Sequence, residues 1–383
     1  MKASVEVALV GSVDPRTARP GGVRSYVLNL FRGLRSKNIS ARIYGVSLNG
    51  DKQQDSNFFP IAEGPRLSST RFLGSLLLKA PWIKVQRDTI IHVQRPDHLL
   101  PFRFVKRKNL TVCTIHGNNY ESILRRKGKL ASGMYRFLER LSIRRADWIL
   151  FVDKETQDNY LSMYPFLCEI SSMTPVGIDL SEFEPNDRGG LRRKFGFGEE
   201  EKVILYVGRL EREKGLDFLI GCFAILAKEM EDAKLVIVGD GTQRQDLEDL
   251  VARLGLDRVS FKGTLSRKDV SEIMRASDVL AIPSVFEAGP IVAIESLASG
   301  TPVVSTDVGR VREFLDGENL GIVVSRDEVA FSTALRDVVG WNQGGCKKSC
   351  LEKASEFDFG KTLSGTLMAY KALESRHSRR STQ

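Results

Sequence analysis

The sequence predicts an α/β protein of two doubly wound domains, and three observations carry that expectation. The chain has 383 residues, and at about 100–200 residues per domain that length favours two domains. Both halves alternate short Val/Ile/Leu-rich runs with segments of helical period, the pattern of parallel sheets joined by right-handed crossovers. Between the halves lies Glu184–Gly190, EPNDRGG, whose Pro, Gly and polar residues read as a linker. The expected units are therefore residues 1–185 and 186–360, each Rossmann-like, with residues from about 360 to 383 able to pack back on the first. Two such units facing each other place the carboxyl ends of two sheets across one deep cleft, where ligands of doubly wound sheets bind.

In the first half, Val5–Gly11, Ala41–Leu48, Thr89–Gln94, Leu110–Gly117 and Asp147–Val152 read as buried parallel strands. Gly22–Ser36 places Val23, Tyr26, Val27, Leu30, Phe31 and Leu34 on one helical face. Met134–Arg145 is a second amphipathic helix, ending in the basic residues that suit a helix C-terminus. In the second half the strands are Val203–Val207, Leu235–Val238, Val259–Lys262, Val279–Ile282, Val303–Ser305 and Gly321–Val324. Helices are expected at about 215–230, 242–254, 267–276, 290–299 and 310–315. The polar, basic tail Ser375–Gln383 is expected to fray.

Composition narrows the class. Hydrophobic residues make up 42% and charged residues 27%, which excludes a disordered, collagen-like or disulfide-scaffold chain. Five cysteines are an odd number. Cys113, Cys168 and Cys222 sit in apolar runs and read as buried thiols in a reducing compartment. Cys346 and Cys350 have no neighbouring His, so no metal site is expected there. Met1–Gly11 lacks a signal-peptide core, and no apolar run reaches the length of a membrane span, so the expected location is the cytoplasm. The net charge of +9 is uneven: residues 1–180 carry 28 basic and 15 acidic side chains, a balance of +13, and the remainder carries −4. Such asymmetry asks for an anionic partner on one side.

Three constellations fall at strand ends. Val207-Gly208-Arg209-Leu210-Glu211-Arg212-Glu213-Lys214-Gly215 follows a strand and opens a helix. Arg209 and Lys214 beside a helix N-terminus suit a diphosphate, or else form a solvated basic turn. Val238-Gly239-Asp240-Gly241 follows the next strand, where Gly239 and Gly241 permit close backbone approach to a ligand or simply a tight turn. Phe286-Glu287-Ala288-Gly289-Pro290-Ile291 leads into a helix carrying Glu295. Glu287 in the loop can hold sugar hydroxyls, and backbone N–H groups at 289–291 would face the cleft. Glu295 is embedded in an apolar run, where an unpaired carboxylate is rare, so a ligand such as a ribose is the favoured reading.

In this order, GRLxxxKG, GxG and ExxPxxxxE followed by Gly300-Thr301-Pro302-Val303-Val304 resemble the retaining group 1 nucleotide-sugar glycosyltransferases of the GT-B fold. The resemblance covers the second half of the chain. The first half is consistent with it, through Gly21-Gly22 before the first helix and Thr114-Ile115-His116-Gly117 after a strand. It implies a hexosyltransferase-type enzyme of cell-envelope polysaccharide or glycolipid synthesis. Arg209 and Lys214 would bind the donor diphosphate, Glu295 the ribose, and Glu287 with Gly289, Pro290 and Ile291 the transferred sugar. Gly21 and Gly22 would let the first helix approach the phosphates and acceptor. His116 corresponds to the active-site histidine near the sugar, with a backbone-capped strand-end histidine as the plainer alternative. One feature departs from the commoner E-x-F-G loop: Gly289 comes two residues after Glu287, and Pro290 takes the third place. No DxD-like motif lies at the expected strand ends, so no metal or other cofactor is expected.

In such enzymes the first domain holds the acceptor, and here that half is basic. Arg66, Arg71, Lys79, Lys84 and Arg87 surround the apolar run Phe72–Leu78, with Trp82 nearby. Arg103, Lys106, Arg107, Lys108 and Arg125-Arg126-Lys127-Gly128-Lys129 add to it. A basic amphipathic segment suits an anionic bilayer, so the expected partners are a nucleotide-sugar, a glycan or lipid-linked acceptor and a membrane surface. A generic basic surface is the alternative. The competing functions are a nucleotide-sugar epimerase or hydrolase on the same fold, a nucleic-acid-binding protein and a dinucleotide oxidoreductase. The basic clusters lack the aromatics of a nucleic-acid module, and neither half has a clear G-x-G-x-x-G with its acidic partner.

Overall fold

The computed structural model describes residues 6–17, 21–48, 56–64, 69–83, 85–86, 88–105, 109–183, 187–287, 289–341 and 343–381. Of the basic residues singled out above, Arg66, Lys84, Arg87, Lys106, Arg107 and Lys108 lie outside these, as do Ala288 and positions 184–186 of the expected linker. The side chains of Arg103, Arg125 and Arg126 are also outside the described set. By its internal contacts the chain divides into two units. Among the described residues, the first comprises residues 6–17, 21–177 and 359–381, and the second residues 178–358. Helix Arg188–Phe195 begins inside the stretch read as a linker, capped by Asp187.

The first unit has seven parallel strands: β1 (Glu6–Val10), β2 (Ser40–Ser47), β3 (Phe58–Glu63), β4 (Ile90–Val93), β5 (Thr111–Ile115), β6 (Trp148–Phe151) and β7 (Ser171–Met173). Their order is β3-β2-β1-β4-β5-β6-β7. Alternate residues of a strand face opposite sides, and in β1 both sides are core. Val7 and Leu9 pack in one apolar cluster and Ala8 and Val10 in another. That double burial explains why the strand reads as a continuous apolar run. Helix Gly22–Ser36 buries Tyr26, Val27, Leu30 and Leu34 in the Val7–Leu9 cluster. Burial of each such side chain contributes about 1.5–3 kcal/mol.

The same cluster receives Phe359, Leu363, Tyr370 and Leu373 from the C-terminal helix Phe359–Ser381. Gly33 is the contact point, because a Cβ there would lie 2.9 Å from Leu363 Cδ2. Of the tail expected to fray, residues 375–381 continue this helix, and the Arg376 guanidinium donates to the Glu169 carbonyl; Thr382 and Gln383 lie outside the described residues. A local reading of the tail misses this, because the apolar residues that hold the helix lie before Ser375.

The second unit has β8 (Lys202–Val207), β9 (Ala233–Val238), β10 (Val259–Gly263), β11 (Val279–Ile282), β12 (Val303–Thr306) and β13 (Gly321–Val324), ordered β10-β9-β8-β11-β12-β13. Val203 and Leu205 face one core and Ile204 and Tyr206 the other. All six strands and the five expected helices fall where the sequence places them.

Two thiol and segment readings change. Cys168 is exposed, on the short 3-10 turn Pro165–Glu169, whereas Cys113, Cys222, Cys346 and Cys350 are buried. The apolar neighbours of Cys168 do not bury it because only Leu167 turns inward on that turn. The run Phe72–Leu78 lies in helix Ser69–Lys79; of the run, Phe72, Leu73 and Leu76 are buried and Leu77 and Leu78 exposed. The expected helix Met134–Arg145 is the second part of Asn119–Ile143, which is broken at Gly128 by a φ of +82°.

Candidate functional site

In each sheet the strand order reverses once, and the chemistry gathers there. A doubly wound sheet opens a crevice at that point, because the chain leaves the two neighbouring strands in opposite directions. In the second unit the reversal lies between β8 and β11. Arg209 and Lys214 follow β8, and Glu287 follows β11.

The structure brings Lys214 and Glu287 together as an ion pair, each less than one-fifth exposed. The Ser284 hydroxyl donates to Glu287 Oε1 at 3.1 Å, and the Val285 N–H donates to the Glu213 carbonyl at 2.9 Å. Gly215 makes this approach possible. Its φ is +67°, and a Cβ there would lie 2.4 Å from the Pro283 carbonyl oxygen. The turn after β8 and the loop after β11 are thereby held against one another. Arg209 is half-exposed and pairs with Glu213 at 3.4 Å. Beneath them the Tyr206 hydroxyl donates to the Arg209 carbonyl at 3.0 Å. Burial raises the Tyr206 pKa well above its ordinary value, with further influence from Glu287, Arg209 and Glu213. Two cations therefore sit among carboxylates at the crevice, Lys214 in a largely buried pair and Arg209 in an exposed one.

Helix Ile291–Ala298 begins after Pro290 and has no side-chain cap. Pro290 supplies its carbonyl to the Ala293 N–H at 2.9 Å, so the departure from the commoner loop still starts the helix at Ile291. Gly289 has room for a Cβ, which would meet Arg310 Cδ at 3.9 Å and Phe314 Cζ at 4.0 Å, ordinary van der Waals distances. Glu295 is one turn into the helix. Burial raises its pKa, and the charges that bear on it are Arg267 and Glu182, not those of the Lys214 cluster.

Gly239 and Gly241 have a packing reason of their own. A Cβ on Gly239, whose φ is +134°, would lie 1.8 Å from the Gly208 carbonyl oxygen. One on Gly241 would lie 2.3 Å from that of Leu210. These glycines hold the turn after β9 against the Arg209 segment, which is the tight-turn reading.

In the first unit the reversal lies between β1 and β4. Gly11 follows β1, and a Cβ there would meet Gln94 Cγ at 3.1 Å, just past β4. The Gln94 side-chain oxygen accepts from His116 Nε2 at 2.9 Å, just past β5. His116 is therefore held by the Gln94 side chain. Burial lowers its pKa to about 4, so it is neutral at pH 7. Tyr26 stands edge-on to its ring at 4.8 Å. Behind it, His92 contacts the hydroxyls of Tyr370 and Thr114, each at 2.7 Å. Gln94 Nε2 is buried without a partner among the described residues. Gly21 is extended, with φ 171°, and precedes the first helical residue, Gly22.

Sequence reasoning missed Tyr206, Ser284 and Gln94. Tyr206 was hidden inside an apolar strand. Gln94 carried a usable signal, since it is a polar residue closing an apolar run at a strand's carboxyl end.

Comparison with known proteins follows the same division. Residues 20–182 match the family model described as Glycosyltransferase Family 4, and residues 187–339 match that of Glycosyl transferases group 1. An uncharacterised glycosyltransferase of Methanocaldococcus jannaschii is 35% identical over 192 residues, 49% of each chain. The chain spans about half the length of the curated relatives it matches. Sucrose-phosphate synthase from Thermosynechococcus elongatus has a TM-score of 0.82 at 21% identity, covering 97% of this chain and all of that one. Anabaena HepE, solved in complex with UDP and glucose, has a TM-score of 0.75 at 17% identity, covering 96% and 99%. These structural likenesses establish the GT-B fold.

Proposed function

The chain belongs to the group 1 glycosyltransferases, and from that premise we propose that it moves a sugar from a nucleotide diphosphate to a glycan or lipid-linked acceptor. The observation that carries this reading is the Arg209, Lys214 and Glu287 cluster at the strand-order reversal of the second unit. The UDP held by HepE supports a nucleotide-sugar donor.

The reaction breaks the bond between the anomeric carbon and the diphosphate oxygen. Positive charge develops on the sugar ring and negative charge on the leaving phosphate. Arg209 and Lys214 stabilise that leaving charge as positively charged donors. Charged hydrogen bonds contribute about 1.5–3 kcal/mol each. The two cations do the work a divalent ion would otherwise do, so the reaction needs no metal; retention of configuration is what the resemblance to the retaining enzymes implies. The acceptor hydroxyl forms the new bond to the anomeric carbon, and its proton passes to the leaving phosphate oxygen. Glu287 orients Lys214 and holds sugar hydroxyls, Glu295 takes the ribose, and neutral His116 hydrogen-bonds the transferred sugar. The excess positive charge of the first half draws an anionic, membrane-borne acceptor and suits work at the cytoplasmic membrane face in envelope glycan synthesis.

A panel of UDP-, GDP- and ADP-sugars in a thermal-shift assay tests the donor. A ligand at 100 times its Kd stabilises by about 2.7 kcal/mol. Stabilisation by one sugar nucleotide, lost in Lys214→Ala, is the expected result. Transfer unaffected by EDTA is expected, and loss of activity in EDTA refutes metal independence.

A further inference from the structure

Helix Asn119–Ile143 is amphipathic in the reverse sense beyond its break at Gly128. Its buried side carries polar groups, Ser132, Tyr135, Glu139 and Ser142 all being at most 5% exposed, and reaches the apolar core through Ile143. Its outer side carries Leu130, Met134, Phe137 and Leu141, exposed by 92%, 63%, 60% and 37%. At about 100° per residue these four fall in a stripe about 60° wide. A contiguous exposed apolar stripe marks an interaction surface.

Charge selects the partner. Lys129, Arg140 and Arg144 are exposed along one flank of the stripe. The one carboxylate of the helix beyond Gly128 is Glu139, on the buried side. A second copy packed stripe to stripe would bring these basic residues against their own images with no carboxylate between. An anionic layer meets both features at once, apolar side chains entering it and basic side chains at its surface.

We propose that this stripe docks on an anionic lipid bilayer, with the four apolar side chains at the headgroup boundary and the flanking cations against lipid phosphates. The inference rests on the reading of the basic half as the membrane-facing half, and names its surface. Lys127 of the same helix donates to the Thr70 hydroxyl at 3.3 Å. On helix Ser69–Lys79, Leu77 lies two turns from Thr70 on the same side and is exposed.

The test floats the full chain with vesicles of phosphatidylcholine alone and with vesicles containing phosphatidylglycerol. The wild type should bind only the anionic vesicles, and less so in high salt. The double variant Met134→Ser, Phe137→Ser removes exposed side chains and should keep its circular dichroism and melting temperature. Its vesicle partition should fall about tenfold or more. Arg140→Gln with Arg144→Gln should lose the preference for anionic lipid. No wild-type binding to either vesicle overturns the membrane reading and the stripe together. Wild-type binding that the serine variant retains overturns the stripe alone. A dimer in sedimentation equilibrium that the serine variant dissolves, with vesicle binding unchanged, makes the stripe a self-association surface and also overturns it.

Discussion

Lys214 and Glu287 neutralise one another, so a substitution at either changes the charge offered to a diphosphate. Lys214→Ala should lower kcat/KM at least about tenfold, the equivalent of one charged hydrogen bond at about 1.4 kcal/mol per decade. Arg209→Ala should do the same, because its exposed partner Glu213 leaves it able to swing to the ligand. Full activity in both variants would falsify the donor-site assignment. In the first unit, Gln94 meets His116 at Nε2. A carboxylate in that place would favour the imidazolium. Gln94→Glu should therefore raise the His116 pKa above about 4, as followed by its ring proton shifts, while Gln94→Leu should not. The residue types of the Lys214 cluster were legible because their chemistry is carried by spacing along one turn and one loop. The Gln94 contact was not, because it joins two strands whose adjacency only the sheet order reveals.

Among elements, the strands missed from the sequence share one property. β3 and β7 are the two edges of the first sheet. β3 reads FFPIAE, with Pro60 unable to donate to a ladder, and its register slips between Gly45 and Val46. β7 reads SSM and has no buried residue. Edge strands need no double burial, so they lack the apolar run by which central strands are found. Glycines make the corresponding point for loops. Gly215 and Gly289 stand alike in the motif, yet only Gly215 combines positive φ with a backbone neighbour at 2.4 Å. Gly215→Ala should destabilise the second unit by about 1–3 kcal/mol in urea unfolding and loosen the Lys214–Glu287 contact. Gly289→Ala should change stability by less than about 0.5 kcal/mol. Equal destabilisation by the two would mean that the Pro283 approach does not hold the loop.

At the scale of the whole molecule, the +9 charge counts the histidines as neutral, and acid tests that assumption. His92, His98 and His116 are all in the first unit, and burial lowers their pKa values to about 3, 4 and 4 from 6.5. The sign follows directly. Below pH 6.5 the unfolded chain binds protons at these positions while the folded chain does not, so stability is full above 6.5 and falls with pH until each folded pKa is reached. The slope is about 1.4 kcal/mol per imidazole per pH unit. Glu139 and Glu295, whose burial raises their pKa, offset part of the loss at the acid end of this window. His98 isolates the effect. Both its ring nitrogens are buried without a partner among the described residues, and its ring lies against Phe72 at 5.0 Å. His98→Leu should therefore leave stability at pH 7.5 unchanged or higher, because an unsatisfied buried imidazole is removed. It should also cut the fall in urea-unfolding free energy between pH 6.5 and 5 by about one third, one of three equivalent imidazoles being lost. A pH slope identical to the wild type would show that His98 is already protonated in the fold, and that the first unit carries more positive charge than its sequence count allows.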